Sequence, residues 1–163
     1  MKYLYFLVLL VAAIITAGCA SHIPPQPFGP VIIEAEFGSP YSDSEQAVTV
    51  YSTQKNVSYT SIFYNVSSTK EAAKGNTFVI IDAQIKNIGA DKITVFPHDF
   101  SLVDSDGNRY EKKPYHGEDR LGAGELEKNL YKKGIVLFEV PQTAKNLVLY
   151  YDFNGKRVSW KID

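Results

Sequence analysis

The segment TFVIIDAQIKN, residues 77–87, decides how the rest of the chain is read. Val79, Ile81, Ala83 and Ile85 alternate with Ile80, Asp82, Gln84 and Lys86, a period of two that sends one set of side chains to a dry face and the other to a largely wet one. That is the pattern of a half-buried strand. Eight further segments share its character: VIIEAEF (31–37), AVTVYS (47–52), VSYTSIFYNV (57–66), KITVF (92–96), FSLVDS (100–105), GIVLFEV (134–140), NLVLYYDF (146–153) and RVSWKI (157–162). All are short and rich in β-branched and aromatic residues. In VSYTSIFYNV the alternation puts Val57, Tyr59 and Phe63 on one face and Ile62, Tyr64 and Val66 on the other.

Turn chemistry separates these strands. Asp106-Gly107-Asn108 between FSLVD and RYE predicts a tight hairpin with positive φ at Gly107 or Asn108, and Asn154-Gly155 predicts another. Asn87-Ile88-Gly89 and Pro97 end the strands before them, because Gly and Pro weaken a central ladder. One stretch departs from the strand pattern. Ser68-Thr69-Lys70-Glu71, followed by AAK and Gly75, has the form of a capping box with a C-terminal glycine and predicts a helical turn or two. Many short strands at this spacing predict an all-β chain, an immunoglobulin-like antiparallel β-sandwich, over residues 31–163. About 130 residues suffice for one domain that buries about two thirds of its unfolded surface.

The residues before this domain divide into two parts. Residues 3–17, YLYFLVLLVAAIITA, carry no charge and follow Lys2. As a helix they would extend roughly 22 Å, short of the roughly 30 Å hydrocarbon core, so residues 1–18 are read as an export signal. Residues 19–30 then form a tether, with four of the eight prolines among residues 20–30 and no charged side chain. An extended polyproline course of about 3.1 Å per residue gives this spacer a reach of roughly 30 Å. Its His22 is read as a solvated linker residue.

Cys19 is the only cysteine in 163 residues, so it forms no internal disulfide. Thr16-Ala17-Gly18-Cys19 resembles the lipobox of prokaryotic lipoproteins, with Thr16 where that motif usually has Leu or another branched aliphatic. The resemblance implies cleavage before Cys19 and lipid on its sulfur. Two acyl chains, at about 0.8 kcal/mol per buried CH₂, would give the pair of apolar signals stable anchoring needs. The expected location is the extracytoplasmic side of the cell membrane. The alternatives are an ordinary secretory signal or a retained apolar anchor.

A second resemblance covers about half the chain. FVIIDAQIKNIGADKITVFPHDFSLVDSDGNRY and GIVLFEVPQTAKNLVLYYDF are similar to an uncharacterised extracytoplasmic domain family of prokaryotic lipoproteins with a telokin-like, immunoglobulin-like sandwich. Loop 111–133 departs from the family pattern, carrying Gly122-Ala123-Gly124-Glu125 in place of a short Pro-Gly turn. The resemblance implies a fold and an envelope location, and supplies no catalytic residue.

The motifs that carry chemistry point away from an enzyme. Asp104-Ser105-Asp106-Gly107-Asn108 has its Gly at the fourth position, and Tyr115 stands where an EF-hand needs its bidentate Glu. His116-Gly117-Glu118-Asp119 would need partners from elsewhere to hold Zn²⁺, and the sequence offers only His98. No metal or cofactor is therefore expected. None of the three His accompanies a G-x-S-x-G elbow, and no glycine-rich phosphate cradle occurs. A hydrolase using acidic loop residues is the alternative, since a carboxylate pair leaves no local signature. The charges, 17 Lys and Arg against 18 Asp and Glu, hold no basic stripe and do not suit nucleic acid.

Binding or scaffolding in the cell envelope remains, with a protein or glycan as partner. Tyr59, Phe63 and Tyr64 form the candidate contact patch. Asn56-Val57-Ser58 and Asn65-Val66-Ser67 fit the N-glycosylation pattern, so Asn56 and Asn65 are expected in solvent at the ends of the aromatic strand. A glycan there would crowd the patch, so modification and partner binding are expected to exclude each other.

Overall fold

The computed structural model describes residues 31–162. The expected signal at 1–18, the expected tether at 19–30, Cys19 and His22 lie outside the described residues. The strands are β1 Val31–Glu34, β2 Tyr41–Ser42, β3 Gln46–Asn56, β4 Ser58–Phe63, β5 Val66–Glu71, β6 Asn76–Asn87, β7 Lys92–Val95, β8 Phe100–Val103, β9 Arg109–Tyr110, β10 Gly124–Glu127, β11 Tyr131–Pro141, β12 Leu147–Phe153 and β13 Lys156–Ile162. A single 3-10 turn, Pro97–Asp99, separates β7 from β8.

Two sheets make the sandwich. One has the order β1-β13-β12-β8-β9 and the other β11-β6-β3-β2. β6 is the centre of the second, paired along its length with β11 and with β3. Its predicted dry face is dry: Val79, Ile81, Ala83 and Ile85 are all fully buried. Opposite them stand Leu147, Leu149 and Tyr151 of β12 and Val158, Trp160 and Ile162 of β13, in one continuous core. Phe100, Tyr151 and Phe153 line up within it at ring separations of 4.5 and 5.5 Å.

The predicted all-β sandwich is the observed one, with one strand running otherwise than expected. β1 lies parallel to β13, Val31 opposite Lys156 through Glu34 opposite Ser159. No hairpin constrains these two strands, since they are the first and last of the described chain, so either direction is open to them. The 111–133 loop also holds more order than its composition suggests, because Gly124–Glu127 pairs with β7.

Both predicted hairpin turns form. Asn154 and Gly155 have φ of 49° and 73°, and Gly107 has φ of 83°. The Asp104 carboxylate organises the second turn: it accepts hydrogen bonds from the backbone N–H of Asp106 and Asn108, both at 2.9 Å, from Asn108 Nδ2 at 2.9 Å and from the Tyr110 hydroxyl at 2.7 Å. The Asp-x-Asp-Gly run is thus a turn lock. The Asn108 and Tyr110 side chains, helped by the two backbone donors, hold the Asp104 carboxyl at about 2.

A carboxyl whose folded pKa is depressed stabilises the fold fully above its unfolded value, near 4, and loses that contribution as pH falls through the folded value. Stability is therefore expected to drop between about pH 4 and about pH 2 as this lock is protonated. Asp104→Asn should be less stable at neutral pH and show a flatter profile across that window. Chemical denaturation at stepped pH reads both effects, and parallel profiles for variant and wild type would remove Asp104 from the explanation.

Candidate functional site

The surface selected from the sequence is not one strand but a hairpin folded over the outside of the sandwich. β4 ends at Phe63, and β5 returns alongside it, with Ser58 opposite Glu71 and Phe63 opposite Val66. Tyr64 and Asn65 form the two-residue turn between them, with φ of 49° and 62°. The expected strand over 57–66 is corrected to this strand and turn, and the expected helical turn at 68–75 is corrected to the remainder of β5, through Glu71, followed by a non-helical connection that turns at Lys74-Gly75. A short capping box cannot repay helix nucleation by itself, whereas an adjacent strand offers Ser67, Ser68 and Thr69 a full ladder. Thr60 and Thr69 add a cross-strand hydroxyl contact of 3.0 Å.

The hairpin is tied down at its base and along its inner face. Glu139 of β11 accepts from the Ala73 backbone N–H at 2.8 Å and from Asn76 Nδ2 at 3.1 Å. The Ala73 bond is the main cause of a Glu139 carboxyl below its usual range. Further along, Tyr59 packs edge-on against Phe78 at 5.0 Å and beside Tyr115 at 5.2 Å, above Leu137. This small second core covers part of the β6 face expected to be wet. Burial, and then the Asp119 carboxylate, push the Tyr115 hydroxyl up to about 12.

This packing corrects one member of the candidate patch. Tyr59 is only 8% exposed, so it holds the hairpin in place and is not a surface contact residue. Phe63 is 42% and Tyr64 80% exposed, and Ile62 and Val66 beside them are exposed as well. The tip is where the apolar surface concentrates. Asn56, the last residue of β3, and Asn65, in the turn, are both exposed and flank β4.

A strap from the 111–122 loop meets the tip. The Glu118 backbone N–H donates to the Ile62 carbonyl at 3.1 Å, and Glu118 Oε1 accepts from the Tyr64 backbone N–H at 2.8 Å. The Arg120 guanidinium lies 6.0 Å from the Phe63 ring centroid, and the Phe63 and Tyr64 rings meet edge-on at 4.4 Å. The strap itself docks on β11: Ile135 N–H donates to the Asp119 carbonyl at 2.8 Å, and Leu121 N–H to the Ile135 carbonyl at 3.0 Å. Gly134 makes that docking feasible. A Cβ there would lie 2.5 Å from backbone atoms of Asp119, Arg120 and Leu121.

The result is an open recess lined by Phe63, Tyr64, Glu118, Arg120 and Gly122. The aromatic pair is legible in the sequence, whereas Glu118 and Asp119 stand out there only as an incomplete metal-ligand set and Arg120 carries no signal. Their local signal is slight, and the one pointer to the strap was a glycine inside the β11 strand, which marks a close backbone approach. Among the described residues no group of three or more His, Cys, Asp or Glu side chains converges as a metal set.

The described chain is thus a β-sandwich carrying a strapped aromatic hairpin. Residues 35–159 match the family described as a domain of unknown function, DUF4352, and the chain belongs to that family. None of the curated proteins matches it. Among solved structures it is similar to an uncharacterised β-sandwich protein from Clostridium difficile 630, at 14% identity over 85% of this chain and 99% of the other, with a TM-score of 0.60. It is also similar to ycdA, a candidate lipoprotein from Bacillus subtilis, at 20% identity over 78% of this chain and 39% of the other, with a TM-score of 0.59. A third is MPT63, a secreted protein from Mycobacterium tuberculosis, at 14% identity over 80% of this chain and 97% of the other, with a TM-score of 0.58. At these identities the likeness carries the fold.

Proposed function

We propose that the chain is a lipid-anchored binding or scaffolding module on the extracytoplasmic face of the cell membrane and that it does no chemistry. The observation that carries this reading is the exposed aromatic tip, Phe63 and Tyr64, fixed by Glu118 and by the Tyr59 core to a rigid sandwich. Rigid presentation of apolar side chains on a hairpin is what recognition requires, because little conformational freedom is left to lose on binding. The lipobox-like Thr16-Ala17-Gly18-Cys19 supports the anchor, and the names of ycdA and MPT63 agree with an exported protein. The proline-rich tether would hold the tip clear of the lipid headgroups.

Cys19→Ser tests the anchor. The variant is expected to incorporate no labelled fatty acid and to move from the membrane to the soluble fraction, whereas membrane retention equal to wild type would mean that residues 3–17 persist as the anchor. For the binding role, wild-type protein is expected to be retained on isolated envelope fragments, and removal of the Tyr64 ring to release it. Native protein carrying glycans at Asn56 or Asn65 while still binding through Tyr64 would sink the expected exclusion between modification and binding.

A further inference from the structure

We infer that the recess between the hairpin tip and the strap is a carbohydrate site for a neutral oligosaccharide of β-linked, gluco-configured units, an inference that rests on the binding-module reading and names its ligand class. Such a sugar has two flat faces of axial C–H groups and a rim of equatorial hydroxyls. The faces pack on aromatic rings, and the rim pairs with groups that offer two hydrogen-bonding atoms side by side, such as a carboxylate or a guanidinium.

The recess supplies both kinds of wall. Tyr64 is 80% exposed as a residue, and the Phe63 ring meets its ring at 65°, so the two form a corner and not a sheet. Glu118 uses Oε1 on the Tyr64 backbone N–H, and its Oε2 accepts no hydrogen bond among the described residues. Arg120 stands beside Phe63, and Gly122 leaves that side of the recess without a side chain. One carboxylate and one guanidinium cancel, which favours an uncharged ligand over a phosphate or a polyanion.

The backbone is a second, independent observation. A two-residue turn with positive φ at both positions favours Asn or Gly at the first, and a bulky aromatic residue there is an outlier. Tyr64 nevertheless occupies it with φ of 49°. A side chain kept against local preference, in the more exposed of the two aromatic positions of the recess, is kept for what its ring contacts.

Other occupants fit less well. Inserting the tip into a bilayer would desolvate the Glu118 carboxylate at the level of the rings. A protein partner needs about 800 Å² of continuous surface on each side, whereas the register puts Phe63 and Val66 on one face of the hairpin and Ile62 on the other. A sugar needs only the corner.

The test is calorimetric titration of the full lipidated chain in detergent with two probes, the β-1,4-linked tetramer of N-acetylglucosamine and cellotetraose. Binding of at least one is expected, weakened about tenfold or more by Tyr64→Asn. Asn suits positive φ, so this variant should melt at or above the wild-type temperature and a folding defect cannot explain its loss of affinity. Glu118→Gln, with the aromatic corner intact, should weaken binding too. No heat from either tetrasaccharide at millimolar concentration, undiminished binding by Tyr64→Asn, or Tyr64-dependent retention on phosphatidylglycerol vesicles in place of sugar binding would each overturn the inference. If envelope fragments retain wild type but not Tyr64→Asn while both sugars fail, the glycan inference falls and the binding module stands; if retention does not depend on Tyr64, both fall.

Discussion

Trp160→Ala is expected to lower the unfolding free energy by about 3–5 kcal/mol, the largest loss from any single side chain in this fold. Trp160 heads the side chains with essentially no exposed surface, and it sits on β13 facing the buried row of β6. Removing the indole leaves a void that the β12 ladder, which pairs Trp160 with Leu149, keeps from collapsing. Trp160→Phe should cost much less. Phe restores most of the ring volume and lacks the indole N–H, which is buried without a hydrogen-bond partner among the described residues. Urea unfolding followed by far-ultraviolet circular dichroism reads both variants. Equal losses for Ala and Phe would mean that the indole N–H, and not the packed volume, is what matters.

Gly134→Ala is expected to act through the strap. Its Cβ meets backbone atoms at 2.5 Å, which no side-chain rotation relieves, so either β11 or residues 119–121 must move. β11 is held along its length by β6, and the strap by two hydrogen bonds at Ile135, so the strap should give way. The expected cost is about 1–3 kcal/mol, typical of overpacking. Loss of Glu118 and Arg120 from the tip, and with them of the recess, should accompany it. Amide exchange at Leu121 and Ile135 should accelerate while β6 stays protected. Uniform acceleration across the sandwich would show that the substitution unfolds the domain and does not merely release the strap.

Much of the architecture was legible in the chain because it is written in local repeats. A period of two with β-branched residues has one stable outcome when the alternate side chains are apolar, and Val79, Ile81, Ala83 and Ile85 are buried as that rule requires. Asn154-Gly155 and Asp104 to Asn108 are equally local: positive φ and side-chain-to-backbone hydrogen bonds are settled within a few residues. The parallel pairing of β1 with β13, by contrast, joins chain ends more than 120 residues apart, beyond the reach of any turn signal.

Local pattern is enough to set the strands, most of their turns, the dry face of β6 and the presence of an aromatic-rich segment at 57–66. Which of those aromatics lie at the surface is settled by packing between distant parts of the chain. Tyr59 and Phe63 share a strand and a face, yet one lies under Tyr115 and over Leu137 while the other stands in solvent at the tip. Alternation tells which side of a strand a residue takes but not what covers that side. Here the cover is a strap brought in by contacts between residues 16 to 56 apart in sequence, Asp119 and Glu118 reaching Ile135, Ile62 and Tyr64. Ser68 to Glu71 is strand and not helix for a nearer reason: its local preference for a helical turn is worth little beside Ser58 to Ser61, 7 to 13 residues upstream and already in place to pair with it.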